Sequence, residues 1–262
     1  MASQGQRTMG GRLSGKTVLI TGGGRGYGEQ MARALAGEGA AVALASRTES
    51  ECAAVAADIV AGGGRALAIA GDVASDAAVE AMAGAALRAF GAIDALVNNA
   101  ADPGPIGAVS ATDAAAWGRT FDVNLMGALR CVRAVLPAMA ARKAGHIINL
   151  SSGTVRPGCR HIRSLAYTTS KYAVEGFSWG LAVELEPLAI RVNAFTPGLA
   201  ETRFLAGMPA GYLRGLTCQV PEHVGPAIVH LLTSDIATGE RFDALPWLEE
   251  QGLLERYSYV HD

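Results

Sequence analysis

Two side chains four residues apart carry the first chemical hint: Tyr167 and Lys171, in a stretch of helical period, share one helix face. A phenol ordinarily titrates near 10, and an adjacent ammonium favours the phenolate, drawing the group toward working pH. Such a tyrosine can act as general acid toward a carbonyl oxygen or general base toward an alcohol. With only three lysines and six tyrosines in the chain, the spacing arises by chance about one time in fifteen. Ser151-Ser152 follows the apolar run His146 to Leu150, and a hydroxyl at the carboxyl end of a strand can donate to a reacting oxygen, although serine pairs there are also common caps. Asn98-Asn99 ends another apolar run, Ala95 to Val97; such amides bridge strand ends or simply form a turn. Asn124 interrupts the apolar helical stretch Val123-Asn124-Leu125-Met126, so its amide needs partners and either orders a water or braces the backbone.

A second feature sits near the start. Thr21-Gly22-Gly23-Gly24-Arg25-Gly26-Tyr27-Gly28 lies between an apolar run and a helical stretch, in the spacing T-G-x-x-x-G-x-G. Glycines at a strand-to-helix turn permit a tight reversal and the approach of a pyrophosphate to the open N–H groups of a helix N-terminus. After the second apolar run stand Ser46 and Arg47, where an acidic residue would mark a ribose 2′-hydroxyl. A small hydroxyl leaves room for a 2′-phosphate and a guanidinium can bind it, with Arg25 as a second cation, so the residues favour NADP over NAD.

The elements that must position these groups read as a βαβ series. Strands are expected at Thr17 to Ile20, Ala41 to Ala45, Ala66 to Ala70, Ala95 to Val97, His146 to Leu150 and Arg191 to Phe195. Helices are expected at Glu29 to Ala36, Glu49 to Val60, Asp76 to Ala89, from near Thr112, at Asp122 to Arg142 and at Tyr167 to Glu184. Strands that are apolar throughout imply helices on both faces, which is a doubly wound, Rossmann-like parallel sheet of the α/β class. The 262 residues show no linker or repeat. They suggest a disordered tail over 1–14, then one domain over 15–262 with a lid at about 199–220.

Composition narrows the class further. Twenty-two basic against 24 acidic side chains give a net charge of −2, which disfavours a nucleic-acid binder. No apolar run approaches the roughly 18 residues of a membrane span. Cys52, Cys131, Cys159 and Cys218 lack metal-ligand spacing, so free thiols, no metal and a cytoplasmic setting are expected.

Taken together, the Thr21 to Gly28 loop, Asp72-Val73, Asn98-Asn99-Ala100, Asn124, Ser152, Tyr167-x-x-x-Lys171, Pro197-Gly198 and Thr202 resemble the short-chain dehydrogenase/reductase family in its common form of about 250 residues. The resemblance implies hydride transfer between a nicotinamide and an alcohol or ketone, with Tyr167, Lys171, Ser152 and Asn124 catalytic. It places Gly22, Arg25, Gly26, Tyr27, Gly28, Ser46 and Arg47 on the cofactor, with Asp72 and Val73 at the adenine and Asn99 and Ala100 on the ribose side. Lys171 would also hold the nicotinamide ribose, and Asn124 a relay water. Pro197, Gly198 and Leu199 would receive the carboxamide, and Thr202 would close over it.

Three positions depart from the family's pattern. Ala101 stands where a glycine is usual, Ser152 precedes Tyr167 by fifteen residues rather than thirteen, and Thr238 to Trp247 replaces a strand closing on Gly-Gly. Arg156, Arg160, His161 and Arg163 border the site and either steer an anionic substrate or face solvent. Phe204, Leu205, Met208, Tyr212, Leu213 and Leu216 either suit a hydrophobic alcohol or ketone or pack the lid onto the body. The resemblance further implies a homodimer or homotetramer through the helices at 122–142 and 167–184. The rival reading is a catalytically silent nucleotide-binding protein, but such a chain should have lost part of the Ser, Tyr, Lys set.

Overall fold

A computed structural model describes residues 11–156, 164–206, 208, 217–254 and 256–258. The Val-, Ile- and Ala-rich runs become parallel strands: β1 (Thr17–Thr21), β2 (Ala41–Ser46), β3 (Arg65–Ala70), β4 (Ala95–Asn98), β5 (Gly145–Leu150) and β6 (Ile190–Thr196). Short β7 (Thr217–Gln219) pairs antiparallel with β9 (Arg256–Ser258), while β8 (Arg241–Asp243) joins the main sheet beside β6. The main sheet runs β3-β2-β1-β4-β5-β6-β8, with Val18 level with Val42 on one side and with Ala95 on the other.

Each parallel pair requires a crossover, and helices provide it. Among the described residues the helices are α1 (Gly26–Gly37), α2 (Glu49–Ala61), α3 (Asp76–Phe90), α4 (Ala114–Phe121), α5 (Gly127–Arg142), α6 (Leu165–Leu185), α7 (Arg203–Ala206), α8 (Val224–Thr233) and, after the last parallel strand, α9 (Ala244–Glu250). Alternate strand residues feed two cores. Val18, Ile20, Val42, Leu44 and Phe195 pack with Met31 and Leu35 of α1, Val55 and Ile59 of α2 and Ile228 of α8. Leu19, Leu96, Ile147 and Val192 pack on the other face with Met82 of α3, Val135 and Met139 of α5 and Leu181 of α6. The expected doubly wound sheet is therefore present, with both faces covered.

Four details differ from expectation. The polar lead-in is held from Gly11 onward: Leu13 is buried, its N–H donates to the Glu38 carbonyl at 2.9 Å, and Arg12 pairs with Glu38 at 2.7 Å. Residues 1–10 lie outside the described residues. The helix expected from Asp122 begins as a wider π turn over Asp122–Met126 and becomes α-helical only at Gly127. A seventh parallel strand forms where the C-terminal sequence departs from the family pattern, and α9 follows it directly. Residues 114–142 are long and apolar enough to cross a membrane by composition, yet Cys131, Val132, Val135 and Met139 are buried in the core. Cys52, Cys131 and Cys218 are buried free thiols, and Cys159 lies outside the described residues.

Candidate active site

The chain reverses its winding direction between β1 and β4, and crevices of doubly wound sheets open at that point, beyond the carboxyl ends of the strands. A cleft of about 1000 Å³ occupies the position. Its floor begins at the glycine loop, where Gly22 and Gly26 take φ of 65° and 54°, a region that disfavours other side chains. Helices α3 and α4 are capped by the Ser75 and Asp113 side chains, whereas Arg25 makes no side-chain cap on α1. The first-turn N–H groups of α1 thus remain available to an anion.

Asn99 is what holds that loop. Its side-chain amide donates to the carbonyls of Thr21 (2.9 Å) and Gly22 (3.0 Å), while the Thr21 hydroxyl accepts from the N–H groups of Asn99 and Ala100, both at 3.1 Å. The Asn98 amide donates to Asn149 Oδ1 at 2.8 Å, tying the ends of β4 and β5 together. The bridging role expected of the asparagine pair is thereby met, though both Asn99 donors point at the loop rather than outward. Tyr27 donates its hydroxyl to the Gly198 carbonyl at 3.1 Å, linking α1 to the turn after β6.

Ser46 and Arg47 line the cleft at the end of β2, with the Ser46 hydroxyl turned back to the Thr48 carbonyl at 2.8 Å. Arg47 is exposed and forms no ion pair among the described residues. Arg25 is less available than the sequence suggested, because Glu51 holds it at 3.3 Å and holds Arg203 of α7 at 3.1 Å. Glu51, which in sequence could equally pair with Arg47, lines the cleft and takes Arg25 and Arg203 instead.

Tyr167, Lys171 and Ser152 line the opposite end. Lys171 is buried, donates to the Leu150 carbonyl at 2.7 Å, and places Nζ 5.5 Å from the centre of the Tyr167 ring. Burial draws its pKa down to about 8, because an ammonium loses its hydration there. Phe204 of α7 packs against the Tyr167 ring at 5.3 Å. With Leu205, Met208 and Ile106 it makes this part of the cleft apolar. Tyr212, Leu213 and Leu216 of the expected lid lie outside the described residues, as do Arg160, His161 and Arg163 of the basic loop. Arg156 of that loop is exposed and lines the cleft.

Asp72, Val73, Ala100, Pro197, Gly198, Leu199 and Thr202 also line the cleft. Two expected site residues do not. Gly28 lies behind the glycine loop, where a Cβ would overlap the Gly22 carbonyl oxygen, so its smallness serves the packing of α1 on the loop. Asn124 is buried with its amide committed: Nδ2 donates to the Asp102 carbonyl (3.0 Å) and Ser170 Oγ (2.8 Å), and Oδ1 accepts from the Asp102 N–H (2.7 Å). These bonds brace the backbone at Asp102, one of the two roles expected of Asn124. Ala101 adopts no positive φ, so the loop at 101–102 dispenses with the glycine angle and is held by Asn124 instead.

The short chain dehydrogenase family profile matches residues 16–212. A 3-alpha-(or 20-beta)-hydroxysteroid dehydrogenase of Mycobacterium bovis is 36% identical over 89% of this chain and 89% of its own. A trans-4-hydroxycyclohexanecarboxylate dehydrogenase of Sinomonas cyclohexanicum is 38% identical over 77% of this chain and 78% of its own. Among solved structures, a 3-ketoacyl-(acyl-carrier-protein) reductase from Brucella melitensis complexed with NADH superposes with a TM-score of 0.79 at 32% identity, covering 88% of this chain and 97% of that one.

Proposed function

The chain belongs to the short-chain dehydrogenase family, and from that premise we propose that it interconverts cyclic secondary alcohols and their ketones, with Tyr167 transferring the proton. Enzymes of the family are NAD(P)-dependent oxidoreductases acting on CH–OH and C=O groups. A dinucleotide fits the cleft, since the first turn of α1, which has no side-chain cap, meets a loop whose Gly22, Gly24 and Gly26 line the cleft without side chains to exclude a pyrophosphate. When bound, the nicotinamide supplies or accepts the hydride.

What supports the reading is that Ser152, Tyr167 and buried Lys171 all line that cleft together with apolar Phe204, Leu205 and Met208, with Lys171 Nζ 5.5 Å from the Tyr167 ring centre. In oxidation, Tyr167 takes the hydroxyl proton as hydride leaves the carbinol carbon; in reduction it returns that proton to the oxygen. Ser152 donates a hydrogen bond to the same oxygen, and Lys171 holds the phenolate by charge. Phe204, Leu205 and Met208 contact the apolar body of the substrate, and the two relatives named for ring-bearing alcohols support a cyclic skeleton. The test is a panel of cyclohexanol, trans-4-hydroxycyclohexanecarboxylate and a 3α-hydroxysteroid with NAD+ and NADP+, followed by nicotinamide absorbance. Turnover of none of the three sinks the proposed substrate class.

NADP is the proposed cofactor, carried by Arg47 at the open edge of the cleft and the small side chain of Ser46. Arg47→Asp should lower the preference for NADPH over NADH about tenfold or more, the scale of a lost charge-assisted contact. An unchanged Kd ratio would show that the 2′-phosphate lies elsewhere. A homodimer is proposed through α6, which exposes Tyr172, Trp179 and Val183 (46%, 54% and 74%) beside Gly176 and Gly180, where no neighbouring group lies within 4 Å. Trp179→Glu should shift the sedimenting species toward monomer, whereas a wild-type chain already monomeric at micromolar concentration refutes the assignment.

A further inference from the structure

Ser152 is positioned by a chain of hydroxyls that no sequence motif marks. Its Oγ accepts from the Thr154 N–H at 3.2 Å and lies 3.0 Å from Thr154 Oγ1. Thr154 Oγ1 in turn lies 3.3 Å from Thr168 Oγ1, and Thr168 is buried on α6 immediately after Tyr167. A hydroxyl owns one proton and two lone pairs. The Thr154 amide occupies one lone pair of Ser152 whatever the hydroxyls do. The remaining question is which way the protons run along Thr168, Thr154 and Ser152.

Only one order leaves Ser152 a proton for the cleft: Thr168 donates to Thr154, Thr154 donates to Ser152, and Ser152 donates outward. In the reverse order Ser152 spends its proton on Thr154 and meets a substrate oxygen with a lone pair, which repels it. We propose that Thr154 is a positioning residue that aims the Ser152 hydroxyl proton at the substrate oxygen, with Thr168 as the far end of the relay. Each bond in such a chain polarises the next, so the outward donor is strengthened as well as oriented. The inference rests on the catalytic reading of Ser152.

The relay also spans two elements that must be in register. Ser152 and Thr154 belong to the loop after β5, Thr168 to the first turns of α6, and residues 157–163 between them lie outside the described residues. Through the relay, the loop that carries Ser152 is tied to the helix that carries Tyr167. The two groups meant for one oxygen are thereby referenced to each other.

The test compares Thr154→Val and Thr154→Ser, alone and in the Ser152→Ala background, on the cyclic-alcohol panel above. Thr154→Val preserves shape and the backbone N–H and removes only the hydroxyl. It should lower kcat about five- to tenfold, the scale of one oriented hydrogen bond, with KM and the nucleotide Kd within about twofold of wild type. Thr154→Ser should restore kcat to within about twofold, and Thr154→Val should cost nothing further once Ser152 is alanine. Retained kcat in Thr154→Val beside a crippled Ser152→Ala overturns the relay. So does an equal loss in the Ser152→Ala background, which would mark a structural role. An active Ser152→Ala overturns the reading of Ser152 itself, and is thereby distinguished from failure of the relay.

Discussion

Tyr167→Phe should lose about a thousandfold in kcat while binding NADPH with nearly unchanged Kd, because it removes the proton-transferring hydroxyl and leaves the ring against Phe204. The scale is that of general acid–base catalysis, and loss of the residual contact to the substrate oxygen is included in it. The pH dependence supplies a second reading of the same group. Alcohol oxidation needs the base form, so its rate should rise with pH through a limb below the range of a free phenol, near 10, and ketone reduction should fall through the same limb. Lys171 sets where that limb lies. Its ammonium is disfavoured by burial, which draws it down to about 8, and a phenolate beside it would favour the charged form. Lys171→Met should move the limb upward toward that of a free phenol. Stopped assays of Tyr167→Phe that retain a tenth or more of wild-type kcat, or a wild-type limb at 10 or above, would remove Tyr167 and Lys171 from these roles.

Arg241→Ala should destabilise the fold by about 3 kcal/mol, roughly 6–12 °C in Tm for a chain of this size. The reason lies beneath the loop after β5. Glu175 on α6 is buried, accepts from the Ser151 hydroxyl, and pairs with Arg241 at 2.9 Å. Arg241 also donates to the Val155 carbonyl at 2.6 Å and pairs with Asp243 at 2.8 Å. Truncating the arginine leaves a carboxylate in the interior with a single hydroxyl for a partner, and uncompensated buried charge costs several kcal/mol. The lower part of that range applies because the Arg241 side chain is 21% exposed. Replacing both members by methionine should recover much of the loss, since apolar groups of similar volume do not need a counter-charge. Thermal unfolding measures all three proteins; an Arg241→Ala midpoint within 2 °C of wild type would show that water reaches the pair. Activity is a separate readout, because Val155 directly follows Thr154 on the loop that also carries Ser152, and release of its carbonyl frees that loop.

Much of this fold was readable in the chain. Strands buried on both faces have no polar side to show, so they appear as unbroken apolar runs, and β1 to β6 fall within a residue or two of where those runs lie. Strand β8 was not readable. Its three residues, Arg241-Phe242-Asp243, carry two charges, and nothing local says that Arg241 has a buried carboxylate waiting 66 residues upstream. The π turn at Asp122–Met126 was equally hidden, since a one-residue widening of a helix leaves its apolar pattern nearly intact.

The candidate site divides in the same way. Tyr167 and Lys171 lie on one helix turn, and the Thr21 to Gly28 loop is a single local segment, so spacing alone exposes both. Asn124, Asn99 and Gly28 were also found by pattern, but pattern could not say what they touch. Asn124 turns out to hold the Asp102 backbone and Gly28 to make room for α1 on the glycine loop, neither lining the cleft, while Asn99 clamps that loop. Thr154, Glu51 and Arg241 act through partners 14, 152 and 66 residues away, in Thr168, Arg203 and Glu175. A hydroxyl or a carboxylate looks the same in a sequence whether it faces water or a buried partner. The chain by itself therefore determined the class of fold and the local chemical groups, because both depend on residues within a few turns of one another. Tertiary structure alone decided which polar groups are desolvated and with whom they pair, because desolvation is a property of everything that packs around a group, and those neighbours arrive from every part of the chain.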